Sequence, residues 1–221
     1  DQNGQRVAFD AIYDHIPRYP QSLDDHMPIH WAAQQGLPLV PVDLYTEGGN
    51  LWSDGAGTLI MTRQIFNENS DLDRNQLERY LHSLFDYDKL IITPRLRIES
   101  TGHVDLVLKL AAADCVLVSA PTSRSTSDKL RAAINLFQQE TNAQGQPYHV
   151  ETLPTPPLYF NWFTYAIRRS YTNALTVNGR VLVPIYKLHT DDEALRIYER
   201  VMPDYDIVPI DCSVGANGGG A

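Results

Sequence analysis

Cysteine is nearly absent from this chain: Cys115 and Cys212 are the only two in 221 residues. Two thiols cannot build a disulfide framework, and their spacing matches no zinc-ligand signature. Cys115 opens the apolar stretch Cys115-Val116-Leu117-Val118 and reads as a core residue. Positive charge is also short, with 18 Lys and Arg against 27 Asp and Glu and a net charge of -9. That balance argues against a polyanionic partner such as nucleic acid and weakly favours a cationic one. No apolar run approaches the ~20 residues of a membrane-spanning helix, and the segment Asp1 to Gln5 has no apolar core of a secretion signal. The chain does not open with Met, so it reads as processed or as a piece of something longer. What is present is ordinary for a soluble globular protein, at 43% hydrophobic and 20% charged residues, and it suffices for a sizeable core.

The apolar residues fall into four strand-helix-strand units. The first runs from Val7-Ala8-Phe9 and Ala11-Ile12-Tyr13 through a helix opening near Pro28, with Ile29, Ala32 and Ala33 inward and Gly36 as its stop, to Leu39 to Leu44. The second pairs Thr58 to Thr62 with Leu90-Ile91-Ile92 across a helix capped by Asp73, whose Leu77, Tyr80, Leu81, Leu84 and Phe85 trace one buried face. The third runs from Cys115 to Ser119, through a helix from Ser127 with Leu130, Ala133, Ile134 and Phe137 inward, to Tyr148 to Leu153. The fourth runs from Val181 to Ile185, through a helix from about Asp191 carrying Leu195, Tyr198 and Val201, to Ile207 to Ile210. Each return strand hands over to a short motif of polar residues, glycine-bearing in three of the four: Glu47 to Asn50, Gly102 to Asp105, Ser170 to Asn173, and Gly218 to the end. Such an internal repeat predicts units packed in a ring or an array with the motifs gathered together. The competing architecture is a doubly wound α/β sheet in which these motifs are ordinary turns.

The motif Gly102-His103-Val104-Asp105 precedes the mostly apolar run Leu106 to Leu110. On a strand, residues two apart share a face, so His103 and Asp105 are expected to face one pocket while Val104 enters the core. An imidazole beside a carboxylate can move a proton and hold a cation. The plain alternative is a hydrogen-bonded structural histidine and a turn-capping Asp105. Glu47 and Asn50 flank a glycine pair that permits close backbone approach, and Asp54-Gly55 is first of all a turn. Asn173 precedes Ala174-Leu175 and is placed at a strand start, where it either meets a substrate N–H or caps a turn. The inventory is rich in acceptors and contains no metal-ligand spacing, phosphate-cradling glycine loop or serine nucleophile elbow. Acceptors suit a ligand with many N–H donors, and guanidinium has five in a fixed fork.

The ordered series Glu-Gly-Gly-Asn with Asp-Gly, then Gly-His-Val-Asp, then Ser-Tyr-Thr-Asn before Asn178-Gly179-Arg180-Val181-Leu182-Val183-Pro184, then the final glycines, resembles the porphyromonas-type peptidylarginine deiminase family, which also holds the agmatine deiminases. The resemblance spans nearly the whole chain. It implies a pentein-like α/β propeller of five pseudo-symmetric strand-helix-strand units, four of them visible here, forming a single domain over residues 1–221 that is incomplete at both ends. The implied reaction is hydrolysis of a guanidinium to a ureido product and ammonia through a Cys-thiouronium intermediate, without metal or organic cofactor. Carried over, His103 is the general acid/base, Asp105 a guanidinium-gripping carboxylate, Asn173 a positioning residue, and Glu47 and Asn50 pocket residues. The implied partner is a guanidinium-bearing substrate, either an arginine side chain or agmatine, with no nucleic acid or membrane. Agmatine would imply a cytoplasmic protein and arginine side chains a secreted one.

Two departures accompany the resemblance. The family's nucleophilic Cys follows the last glycines, past Ala221, and its Trp-x-Arg-Asp stretch has no counterpart here; Cys212 does not match the nucleophile's place. The alternative is therefore an inactive or truncated propeller serving as a binding scaffold. The segment 170–184 leans towards the peptidylarginine branch, as does Lys187, which stands where agmatine deiminases tend to carry a Gly-Asp pair. A ring lacking a unit would expose apolar edges and invite oligomerisation. The aromatic loop Leu158 to Phe163 either covers the pocket or packs under a neighbouring unit.

Overall fold

A computed structural model describes residues 4–13, 22–97, 101–122, 127–160 and 166–218 of the chain. Four parallel strand pairs, each joined across a helix, carry its mixed α/β architecture. In the first unit β1 (Ala8–Ile12) leads through α1 (Ser22–Asp25) and α2 (Met27–Gln35) to β2 (Leu39–Tyr45), which pairs parallel with β1. The second unit adds a short antiparallel strand in front. Here β3 (Trp52–Ser53) pairs with β4 (Thr58–Thr62), and β4 pairs parallel with β5 (Lys89–Thr93) after α3 (Gln64–Glu68) and α4 (Arg74–Phe85). The third unit repeats this order with β6 (Leu108–Ala112), β7 (Cys115–Ser119), α5 (Ser127–Gln139) and β8 (His149–Leu153). A two-residue ladder of β9 (Tyr159–Phe160) and β10 (Ala166–Ile167) precedes the fourth unit. That unit comprises β11 (Leu175–Val177), β12 (Arg180–Ile185), α6 (Asp191–Val201) and β13 (Asp206–Asp211).

The strand alternation explains how the units join. All five residues of β4 and of β7 are buried, as expected of strands covered on both faces. Leu59 and Met61 of β4 meet Val42 and Leu44 of β2 in one cluster, whereas Ile60 enters a second cluster with Val116 and Val118 of β7. Leu117 of β7 faces the other way, into a third cluster with Val181 and Val183 of β12. Each cluster therefore welds one unit to the next in chain order. Large apolar side chains that remain exposed lie mainly on the first and last units, among them Leu23, Met27, Trp31, Leu175, Ile210 and Val214.

Local chemistry sets the element ends. The Asp73 carboxylate accepts from the Gln76 N–H at 2.8 Å while the Gln76 side chain accepts from the Asp73 N–H, a reciprocal capping box at the start of α4. Gly36 closes α2 with a left-handed backbone (φ 64°). Asn178 and Gly179 both take positive φ, 49° and 74°, and turn β11 tightly into β12. One expected face is corrected: in α2 only Ala32 is buried, and Ile29 stays 40% exposed. That helix rests on the outermost strand pair, so a single row of its side chains finds a partner. No helix among the described residues is long and apolar enough to cross a membrane.

Candidate active site

The first motif turn leaves β2 and winds into a 3-10 turn, Gly48–Asn50. Asn50 is buried, and its Oδ1 accepts from the Thr62 N–H at 2.8 Å. The second turn is held from the same residue, because Thr62 Oγ1 donates to the Gly102 carbonyl. Gly102 adopts φ 73°, and a Cβ there would lie 2.6 Å from the Gln64 side chain, so glycine alone fits the position. The strand geometry expected for His103 and Asp105 is not what brings them together. His103 has extended backbone, Val104–Leu106 forms a 3-10 turn, and β6 starts only at Leu108. His103, extended just ahead of the turn, is nonetheless brought near Asp105 within it, and His103 Nδ1 lies 4.0 Å from Asp105 Oδ1. Val104 is fully buried, as anticipated.

Glu47 completes this group. Its Oε2 accepts from His103 Nε2 at 2.7 Å, and since an ionised carboxylate only accepts, Nε2 carries a proton. In the neutral ring Nδ1 is then the basic nitrogen, on the Asp105 side. Exposure of the Glu47, His103 and Asp105 side chains is 11%, 19% and 15%, so these charges are only lightly screened. Two carboxylates flank one imidazole, which leaves a net charge of minus one even when the ring is protonated. A guanidinium would neutralise that charge and offer forked N–H donors to the oxygens. Tyr13 borders the same group, its hydroxyl pKa raised by burial and then by Glu47 and Asp24.

The third turn is tied to the second through its backbone. Thr172 Oγ1 donates to the Asp105 carbonyl at 2.6 Å, and Ser170 Oγ lies 2.6 Å from Thr172 Oγ1. From below, the Tyr171 hydroxyl donates to buried Asp191 at 2.6 Å, which also accepts from the N–H groups of Tyr186 and Leu188. Asn173 follows Thr172 directly. It is partly exposed and lies in a turn, two residues before β11 rather than at its start. Glu47, Asn50, His103 and Asp105 are thus joined by direct contacts or through Thr62, and Asn173 adjoins them through Thr172. Of the fourth motif, Gly215–Gly218 forms a 3-10 turn anchored by buried Ala216, and Gly219 to Ala221 lie outside the described residues. In the aromatic loop Tyr159 packs against the core of the fourth unit and Phe160 is exposed, while residues 161–163 lie outside the described residues.

Neither thiol is poised for attack. Burial, then Asp114 and Glu151, push Cys115 up to about 11, and burial followed by Asp211 raises Cys212. Asp54 is a turn residue, its Oδ1 accepting from the Ala56 and Thr58 N–H groups. A groove of about 810 Å³ lined by Arg63, Arg95, Arg97 and Lys129 lies elsewhere, and its basic lining would repel a guanidinium. Among the described residues no group of three or more His, Cys, Asp or Glu side chains is arranged to hold a metal ion.

Residues 5–221 match the model of the Porphyromonas-type peptidyl-arginine deiminases. The chain belongs to that family. Within the family, it is 31% identical over 188 residues to the agmatine deiminase of Pseudomonas fluorescens (strain SBW25), a match covering 74% of this chain and 51% of that protein. It therefore spans about half the length of that curated relative. Its fold matches the solved agmatine deiminase of Enterococcus faecalis with a TM-score of 0.86 at 22% identity, covering 98% of this chain and 67% of that one. The agmatine deiminase of C. jejuni gives 0.84 at 19% identity, covering 99% and 65%. Lys187 has a left-handed backbone (φ 58°), the conformation glycine adopts without strain.

Two contributors were not singled out from the sequence: Thr62 and Thr172. Both act through hydrogen bonds, to residues 40 and 67 positions away, for which local sequence carries no signal.

Proposed function

We propose that this chain forms the acid/base and guanidinium-holding part of a hydrolytic deiminase. The observation that carries the reading is the contact of His103 with Glu47 at 2.7 Å and its approach to Asp105 at 4.0 Å in a lightly exposed, net-negative group. Asp105 grips the guanidinium nitrogens and holds its carbon in place for attack, while Glu47 lines the same pocket against His103. Asn173 positions the substrate from the third turn. Asn50 contributes Nδ2, a buried donor with no partner among the described residues once Oδ1 is bound to Thr62.

A thiolate attacks the guanidinium carbon and forms the C–S bond. His103 protonates the departing nitrogen, which leaves as ammonia as the C–N bond breaks; the ring then takes a proton from the water that adds to the thiouronium carbon, and the C–S bond breaks to return the thiolate and release the ureido product. The raised thiols of Cys115 and Cys212 suit neither for attack, so the reading assigns the nucleophile to a cysteine outside these 221 residues. The four units are read as consecutive blades of an α/β propeller around the motif turns. Support comes from the clusters that join successive units and from the apolar residues left exposed mainly on the first and last.

The test uses the full protein that carries this chain, supplied with agmatine, free arginine or an arginine peptide, with ureido product and ammonia measured. His103→Ala and Asp105→Asn are expected to lower turnover by about 10²-fold or more with unchanged thermal unfolding. Wild-type rates in either variant would overturn these roles. Failure of the unmodified protein to turn over any guanidine would leave the chain a binding scaffold.

A further inference from the structure

Lysine normally keeps its ammonium in water by extending along the surface, and it is almost never fully buried unless paired. Lys109 has 0% exposure, although it follows Asp105 by only four residues. Its ammonium sits 4.4 Å from the centre of the Trp52 ring. Burial alone draws its pKa down to about 8, with no charged neighbour contributing. Burying an ammonium costs more than one ring contact returns, so stability does not account for a lysine here. Methionine or leucine would fill the same space at less cost.

The placement of the pair suggests what the lysine does. Trp52 stands in β3, directly after the turn that carries Glu47, and Lys109 stands in β6, directly after the turn that carries His103. The two strands belong to different three-stranded sheets. The ammonium–indole contact thus spans the gap beneath the two turns whose side chains meet above it, where Glu47 and His103 are 2.7 Å apart.

We propose that Lys109 is a positioning residue, whose buried ammonium on Trp52 ties the strand after the Glu47 turn to the strand after the His103 turn and so sets the Glu47–His103 contact. The kinetic half of this inference rests on the deiminase reading; the structural half does not. In the full protein, Lys109→Met, Lys109→Arg, Trp52→Phe and the Lys109→Met/Trp52→Phe double variant are compared by thermal unfolding, steady-state kinetics and the imidazole NMR signals of His103. Lys109→Met is expected to unfold at or above the wild-type temperature at neutral pH. Its kcat should fall by about tenfold or more with KM within about threefold, and the hydrogen-bonded Nε2–H signal of His103 should shift. Lys109→Arg, which keeps a cation on the indole, should recover part of kcat. The double variant should be no worse than Lys109→Met alone, because both remove one contact. Wild-type kcat together with an unmoved His103 signal in Lys109→Met would overturn the proposal, as would additive losses in the double variant. If the unmodified protein turns over no guanidine but Lys109→Met still moves the His103 signal, the deiminase reading fails and the positioning role stands.

Discussion

The approach of Gly49 to the imidazole is the sharpest constraint at the scale of single residues. A Cβ at Gly49 would sit 2.2 Å from His103 Nδ1 and 2.8 Å from Asp105 Oδ2, whereas one at Gly48 would meet nothing within 4 Å. Neither glycine has a positive φ, so alanine is compatible with the backbone at both positions and the difference between them is purely steric. Gly49→Ala must push His103 away from Glu47 or Asp105, and a displacement near 1 Å at a reacting group costs about 10² in rate. Kinetics should show a loss of that order for Gly49→Ala, with an overpacking cost of about 1–3 kcal/mol in stability, and near-wild-type behaviour for Gly48→Ala. Equal rates in the two variants would mean that the imidazole has no fixed place in the chemistry.

Elements formed where local signals agreed, and the capping of α4 shows how much such a signal carries. Asp73 and Gln76 satisfy one another's backbone N–H groups, so Asp73→Ala should cost about 1 kcal/mol and lower the unfolding temperature by about 2–4 °C. Asp73→Asn, which can still accept from the helix, should recover most of the loss. An unchanged melting curve for Asp73→Ala would mean that packing of Leu77 and Leu81 alone holds the helix. The same locality explains what was legible beforehand. The central strands and the helices α4 to α6 are encoded by runs of a few neighbouring residues. The short strand β3, the helix α3 and the β9–β10 ladder were not, because two to five residues carry too little periodicity to register. At the site, Glu47, His103 and Asp105 could be picked out by residue type, yet the turn that brings His103 and Asp105 together was mistaken for a strand. The 3-10 turn is only three residues long, too short for its own three-residue repeat to show against the period of two of a strand. Thr62 and Thr172, which clamp the turns to one another, look like any strand-end or turn threonine until the chain is folded.

At the scale of the whole molecule, the buried ionisable groups give stability a defined pH course. Lys109 has its pKa lowered from 10.5 to about 8, so between those values the folded protein binds fewer protons at this site than the unfolded chain, and stability rises with pH. The full contribution is about 3 kcal/mol, an upper figure because buried groups relax. Cys115 acts in the opposite sense. Its thiol is raised from 9.0 to about 11, so its contribution is whole below pH 9 and is lost as pH climbs through 11. The buried tyrosines follow from pH 10 upward, with Tyr148 pushed up to about 12 and Tyr171, Tyr186 and Tyr198 also raised, chiefly by burial. Because the clusters containing these tyrosines join successive units, their part of the proton balance is felt by the assembled fold rather than by one element. Comparing wild type with Lys109→Met cancels the cysteine and tyrosine contributions common to both. The variant's advantage in unfolding temperature should be greatest near pH 7, shrink as pH rises from 8 to 10.5, and amount in total to several degrees for a chain of this size. A difference that stays constant across that window would show that Lys109 holds its proton as tightly in the folded protein as in the unfolded chain, so that its ammonium is not desolvated by the fold.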